Sequence, residues 1–400
     1  MRIVIIGGGQ VGTELSSRLS QDHDVVIIER DNELANMIES QFDVMVVPGN
    51  GASSSVLEAA GIKQTDMLIA VTEIDEVNII ACMLANKYGV PKTVARIRNP
   101  EYDQEGSILT FDQLGIDHVI NPEAVAAREI KKYIDFPGIN DIEYYANGTI
   151  KMIGLNVKET DPIVNTPIQD IDFSGTSIIC CIVRSNGDVV VPGGKDVIHA
   201  GDEIYILGKK GNIDFDKVFR REKKKNFKIV IAGGGRVGFE LAELLEASVP
   251  LKTGITLIDK DLEKCKNLSE NLSRTKVING DVTNCNFLKS IEVEKADIFV
   301  AATGDDEVNL LSTLLAKEMG TPQTISEVIR PDYNIILNSI GIDKIVSPRL
   351  LTAARIMRII LKGNVINLTI IKEEKAEIIE LILDNKAQCS GKKLKNSGLP

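Results

Sequence analysis

Two short stretches of this chain carry residue types spaced for chemistry. Gly7, Gly9 and Gly12 form a GxGxxG loop, completed by Gly8, Gln10 and Val11, between an apolar run (Ile3 to Ile6) and a helix-period segment. Gly233, Gly235 and Gly238 repeat it, with Gly234, Arg236 and Val237. In such a loop the first glycine makes the turn, the second lets backbone approach a diphosphate, and the third allows close packing, with the phosphates at the helix N-terminus. Glu29 closes a second apolar run at an offset of 29 − 12 = 17 from Gly12, and Asp259 does so at 259 − 238 = 21 from Gly238. An acid there accepts hydrogen bonds from ribose hydroxyls and repels a 2′-phosphate, which favours NAD or another adenine nucleotide over NADP. A glycine turn without a ligand is the plainer alternative. The recurrence of loop and acid together weighs against it.

Further positions belong to the same sheet edge. Asn50 and Asp281 follow the third strands and either reach an adenine edge or simply close a turn. Thr72, followed by Glu73, and Thr303 end the fourth strands, where doubly wound sheets bind ligands. Asp75, Glu76, Asp306 and Glu307 open the next helices and are assigned to capping rather than to a metal. Arg96 and Arg98 end the fifth strand and suit phosphate oxygens, whereas the second copy has Glu327 and Ile329 there. Its remaining cations are Arg330 and, inside the loop, Arg236.

The elements that must position these residues occur twice. RIVIIGGGQVGTELSSRL from Arg2 recurs as KIVIAGGGRVGFELAELL from Lys228, an offset of 228 − 2 = 226. The block from Asp66 recurs at Asp297, offset 297 − 66 = 231, so five residues enter between them, mostly at SVPLKTG from Ser248. GIDHVINPE at Gly115 and GIDKIVSPR at Gly341 restore the offset of 226. Within each copy, β-branched runs alternate with helix-period segments such as Val11, Leu15, Leu19 and Val237, Leu241, Leu245. That order predicts an α/β fold: two doubly wound, Rossmann-like parallel-sheet domains over 1–135 and 227–360. Alternating strands with turn glycines predict a small β-rich α+β domain over 138–212, then a linker at 213–226 holding the basic run RREKKKNFK. A similar strand start returns at 364–400 at about half that length, either cut short or degenerate.

Composition narrows the function. The 400 residues are 44% hydrophobic and 26% charged, an ordinary globular balance for several domains. The net charge of −11 opposes nucleic-acid binding. Apolar runs are too short to span a bilayer, and MRIVIIGGG leads straight into a strand, so a cytoplasmic chain without direct membrane insertion is expected. Cys82, Cys180, Cys181, Cys265, Cys285 and Cys389 include no CxxC pair and read as buried thiols; His23, His118 and His199 are scattered, and no metal site is expected.

With these motifs assembled, the sequence resembles TrkA, the regulatory subunit family of Trk-type potassium uptake systems, built from tandem regulator-of-K+-conductance domains. The residues that carry it are GGGQVG at Gly7, VIIE at Val26, AVTEIDEVN at Ala70, VARIRNPEY at Val94 and GIDHVINPE at Gly115, each with its counterpart after Lys228. The resemblance implies that each large domain binds NAD, NADH, ATP or ADP, and that the domains form a homo-oligomeric ring beneath a TrkH-type membrane pore protein. It places Gly7 to Val11, Glu29, Thr72, Glu73 and Arg98 in one site. Gly233 to Val237, Asp259, Asp281 and Thr303 form the other. The chain departs from the family pattern at Asn50, where Asp is common, and at Glu327 and Ile329. The expectation is a non-catalytic, peripheral gating subunit. Its rivals are an NAD-dependent oxidoreductase, which would need an acid or base that the small domain supplies only as His199 and scattered carboxylates, and a scaffold with vestigial sites.

Overall fold

The computed structural model describes residues 1–103, 110–136, 138–173, 177–209, 219, 227–250, 252–330, 341–360, 365–371, 376–383, 387, 389–392 and 397. The linker expected at 213–226 therefore lies outside the described residues apart from Phe219. The chain divides into two compact units: Met1–Ile130 with Lys228–Met357, and Lys131–Phe227 with Arg358–Pro400.

In the first unit, copy one forms a six-stranded sheet of β1 (Arg2–Ile6), β2 (Asp24–Glu29), β3 (Met45–Pro48), β4 (Met67–Ala70), β5 (Thr93–Arg96) and β6 (His118–Ile120). Its order is β3-β2-β1-β4-β5-β6, and every pairing is parallel. Helices cover both faces of such a sheet, so inner strands need apolar residues on both sides; accordingly Ile3 to Ile6 and Met67 to Ala70 are all buried. Because β1 is flanked by β2 and β4, the connections leaving β1 and β4 run to opposite sides and open a crevice at their carboxyl ends. The glycine loop and Thr72 meet there.

α1 (Gln10–Leu19) buries the predicted stripe Val11, Leu15 and Leu19 against the sheet; each such side chain contributes roughly 1.5 to 3 kcal/mol. α2 (Asn32–Gln41) starts at Asp31, whose Oδ1 accepts the amides of Glu33 and Leu34 at 2.9 and 3.0 Å. α3 (Ser54–Ala59), α4 (Asp75–Lys87) and α5 (Pro122–Asp135) complete the copy. The repeated GID segments also acquire a structural reason. Asp117 Oδ2 accepts both the amide and the hydroxyl of Thr93, at 2.7 and 3.0 Å, and Asp343 does the same for Thr324 at 2.9 and 2.8 Å.

Copy two repeats the order with β12 (Lys228–Ala232), β13 (Gly254–Asp259), β14 (Lys276–Asn279), β15 (Ile298–Ala301), β16 (Gln323–Glu327) and β17 (Lys344–Val346), arranged β14-β13-β12-β15-β16-β17. Its helices are α6 (Arg236–Ser248), α7 (Leu262–Asn271), α8 (Cys285–Ser290), α9 (Asp306–Glu318) and α10 (Pro348–Ile360). α6 has 13 residues where α1 has 10, so the insertion is taken up partly as one more helical turn. Glu246, near its end, accepts the amides of Ser273, Arg274 and Thr275 at 3.1, 2.8 and 2.7 Å, which ties that turn to the start of β14.

The second unit contains the antiparallel sheet β10-β9-β11-β8-β7, made of β7 (Ile139–Tyr145), β8 (Ile150–Asn156), β9 (Ser177–Val183), β10 (Val189–Val190) and β11 (Glu203–Lys209). Ile153, Leu155, Ile182, Ile204 and Ile206 form its core. β18 (Val365–Ile371) and β19 (Ala376–Leu381) pair as an antiparallel hairpin. No helix among the described residues is long and apolar enough to cross a membrane. The expectation that all the cysteines are buried thiols needs correction: Cys82, Cys181 and Cys265 are buried, Cys180 and Cys389 are half-buried, and Cys285 is exposed. Cys285 opens α8 on its exposed side.

Candidate functional site

In copy one the glycine loop is shaped by contacts that exclude side chains. Gly7 adopts φ +99°, and a Cβ there would sit 3.1 Å from the Thr72 amide. A Cβ on Gly12 would lie 1.9 Å from the Gly7 carbonyl oxygen. Gly9, by contrast, would meet nothing within 4 Å, so the backbone at the start of α1 faces open space, and no side chain caps the helix. The uncapped amides and the helix dipole present partial positive charge to that space.

Glu29 borders it. Its Oε2 accepts the Gly8 amide at 2.6 Å and its Oε1 the Asp31 amide at 2.8 Å. Each oxygen keeps accepting capacity, the arrangement a vicinal diol requires. Asn50 Oδ1 accepts the Ala52 amide at 3.0 Å, which gives it the turn-closing role, while the residue still borders the cavity. Thr72 is held by Asn78, and Glu73 through its carbonyl, which accepts from Arg98 Nη2.

These residues line a cavity of about 660 Å³ that includes Gly7, Gly9, Gln10, Val11, Glu29, Asn50, Thr72, Glu73, Arg96 and Arg98, a size typical of small-molecule sites. Copy two contributes Glu327, Ile329, Pro348 and Arg349 to its wall. Nε of Arg96, Arg98 and Arg349 and Oε2 of Glu123 are buried without a hydrogen-bond partner among the described residues, although Arg98 Nε lies 3.8 Å from Asp75 Oδ1. Buried guanidinium nitrogens lacking acceptors are costly unless an anion completes them. Burial pulls the Arg96 guanidinium below its usual range, and burial, with Asp306 and Glu123 nearby, raises the Glu327 carboxyl to about 7. The residues present therefore fit an adenine nucleotide: amides and arginines for phosphates, and Glu29 for a ribose.

Copy two keeps the backbone of the loop. Gly233 has φ +107°, a Cβ there would lie 2.3 Å from the Ala302 carbonyl oxygen, and Gly238 packs on Gly233 as Gly12 does on Gly7. A Cβ on Gly235 would meet the Ala302 carbonyl oxygen at 3.9 Å, Gly234 is packed under Leu268, and Val237 is buried. The acid differs in its company: Asp259 Oδ2 accepts the Gly234 amide at 2.8 Å and also Lys264 Nζ at 2.8 Å, while Oδ1 accepts the Asp261 amide at 2.9 Å. Burial opposes its ionisation, but the hydrogen bonds from Lys264, Asp261 and Gly234 outweigh it and hold the carboxyl below its usual range. Asp281 accepts the amide and hydroxyl of Thr283 at 2.9 and 2.7 Å, the turn-closing role again. Thr303 is held as Thr72 is, and Arg236 is exposed.

Asp75 and Asp306 stand in the first helical turn as expected, but the side-chain cap is not theirs. Asp75 Oδ2 accepts the amides of Arg98 and Asn99 at 2.9 and 2.8 Å, and Asp306 accepts those of Ile329 and Arg330, both at 2.8 Å. They clamp the loop after the fifth strand. In copy two the cap is Asp305, whose side chain accepts the Val308 amide. Asn78 and Asn309, which lie outside the residues that spacing singles out, are both fully buried. Asn78 joins Thr72 to the Arg96 carbonyl, and Asn309 joins Thr303 to the Glu327 carbonyl. The signal was available in DEVN, present in both copies.

Comparison with known proteins agrees with this architecture. The TrkA-N domain model matches residues 3–122 and 229–348, and the TrkA-C domain model matches 152–218. The Trk system potassium uptake protein TrkA homolog 2 of Methanosarcina mazei is 34% identical, over 100% of this chain and 90% of that protein. The Trk system potassium uptake protein TrkA of Halomonas elongata is 32% identical, over 98% and 86%. Among solved structures, the GsuK RCK domain shares the fold at 19% identity, TM-score 0.66, over 89% of this chain and 75% of that one. The GsuK channel bound to NAD gives TM-score 0.67 at 19% identity, over 90% and 63%. With both glycine-loop copies inside the TrkA-N matches, and with relatives that align along nearly the whole chain, the protein belongs to the TrkA family of Trk potassium uptake proteins, a family of transport-system components and not of enzymes.

Proposed function

We propose that this protein is a cytosolic, nucleotide-sensing regulatory subunit of a Trk-type potassium uptake system. It takes NAD(H) or ATP/ADP in the copy-one crevice and gates a TrkH-type membrane pore protein from a homo-oligomeric ring at the inner face of the membrane. The observation that carries the reading is the copy-one cavity, where an open glycine loop, the half-satisfied Glu29 and buried arginine nitrogens without acceptors converge. Glu327 and Arg349 of copy two form part of its wall, and Arg349 Nη2 also lies 3.7 Å from Glu14 Oε2 on α1. A phosphate arriving there changes the charge balance where the copies meet. A ligand that prefers one arrangement of the copies shifts the population toward it, whereas equal affinity for both would shift nothing.

Calorimetric titration with NAD, NADH, ATP and ADP tests the reading. Wild type binds at least one of them, and Glu29→Ala binds it more than tenfold more weakly. Absence of any binding, or unchanged binding in the variant, removes the proposal. None of His23, His118 and His199 borders the cavity, so an acid–base partner of that type for hydride transfer is missing there. Turnover of NADH with a small carbonyl substrate would restore the oxidoreductase alternative.

A further inference from the structure

The two copies present different residues to the two ends of a nucleotide. At the ribose end Glu29 receives, among the described residues, only backbone amides, and the position five residues on is Leu34, which borders the copy-one cavity. In copy two that position is Lys264, whose Nζ is 2.8 Å from Asp259 Oδ2. The Asp259 side chain is only 9% exposed, so one oxygen already carries two donors and the other carries one. A ribose would have to displace the ammonium, which is itself 42% exposed, and compete with it for the Asp259 carboxylate. At the phosphate end, Arg96 and Arg98 of copy one correspond, at the offset of 231, to Glu327 and Ile329. Two guanidinium groups are thus replaced by one carboxyl and one apolar side chain, and Glu327 borders the copy-one cavity. The cation inside the copy-two loop, Arg236, is exposed.

We infer that copy two is a silenced site, closed at the ribose by Lys264, and that the chain binds one nucleotide, in copy one, with copy two serving as part of that site's wall. The inference rests on the reading of copy one as a nucleotide site. Duplication then leaves a sensor half and a responding half, so nucleotide state enters each chain once.

Calorimetric stoichiometry with ADP and with NADH, on the full chain, tests this. The expected result is one nucleotide per chain, lost more than tenfold in affinity in Glu29→Gln and changed less than twofold in Asp259→Asn. Thermal melting verifies that each variant is folded. Should Asp259→Asn not fold, Asp281→Asn, the residue copy one has at position 50, replaces it with the same expectation. Two nucleotides per chain, or loss of binding in the copy-two variant alone, overturns the inference and leaves the sensor reading standing. No binding of either ligand overturns the sensor reading and this inference with it.

Discussion

Asn78 accepts the Thr72 amide at 3.0 Å and the Thr72 hydroxyl at 2.7 Å, and from the same buried position donates to the Thr72 and Arg96 carbonyls at 3.0 and 2.8 Å. One side chain on α4 thus stitches the ends of β4 and β5 together at the mouth of the crevice. Asn78→Ala leaves these groups unpaired in a buried place. The expected loss is about 2 to 4 kcal/mol, read as a lower urea midpoint at unchanged slope. A loss below about 1 kcal/mol would mean that water replaces the amide without cost.

The loop glycines separate packing from binding. Gly12→Ala places a methyl 1.9 Å from the Gly7 carbonyl oxygen and is expected to shift the backbone, lowering thermal stability and nucleotide affinity together. Gly9→Ala meets nothing within 4 Å in the protein, so the melting temperature stays near wild type while the methyl occupies the space where a diphosphate would rest. Affinity then falls about tenfold or more, roughly 1.4 kcal/mol. Equal affinity in Gly9→Ala and wild type would show that the ligand does not approach this turn.

Glu327 makes stability depend on pH near neutrality. Burial, Asp306 and Glu123 raise its carboxyl to about 7. Between about pH 4.5 and 7 the folded chain holds a proton there that the unfolded chain has released, so this contribution to stability is lost as pH rises through that window. Glu327→Gln keeps the neutral form at all pH values. It should raise the denaturation midpoint at pH 8, by an amount on the order of 1 to 3 kcal/mol, and leave it little changed at pH 4.5. A variant less stable than wild type at pH 8 would instead point to a favourable pairing of the ionised carboxylate.

Glu246 acts in the opposite sense and at lower pH. Burial opposes its ionisation, but hydrogen bonds from Thr275, Arg274 and Ser273 overcome it and lower the carboxyl to about 2. Its contribution is fully present above about pH 4.5 and disappears as pH falls toward 2. Glu246→Gln should cost about 1 to 2 kcal/mol at pH 7, at the low end for bonds to a charged group because the side chain is partly exposed. The acid limb of its pH–stability curve should be shallower than that of wild type. Parallel acid limbs would assign the acid sensitivity elsewhere.

By itself the sequence determined the duplication, the glycine turns and the acids that close β2 and β13, because each follows from local chemistry. A turn at φ near +100° favours glycine, and an apolar run of four or five residues suits a strand covered on both faces. It also carried Asn78 and Asn309 in plain view inside DEVN, although their partners lie up to 18 residues away and only the packed sheet edge shows what they hold. Tertiary structure alone decided which cations face which acids. Lys264 reaches Asp259 because α7 begins beside the end of β13, and Glu327 and Arg349 of the second copy wall a cavity that the first copy builds. Such contacts depend on how helices and copies close on one another, a long-range property that periodicity and spacing do not encode.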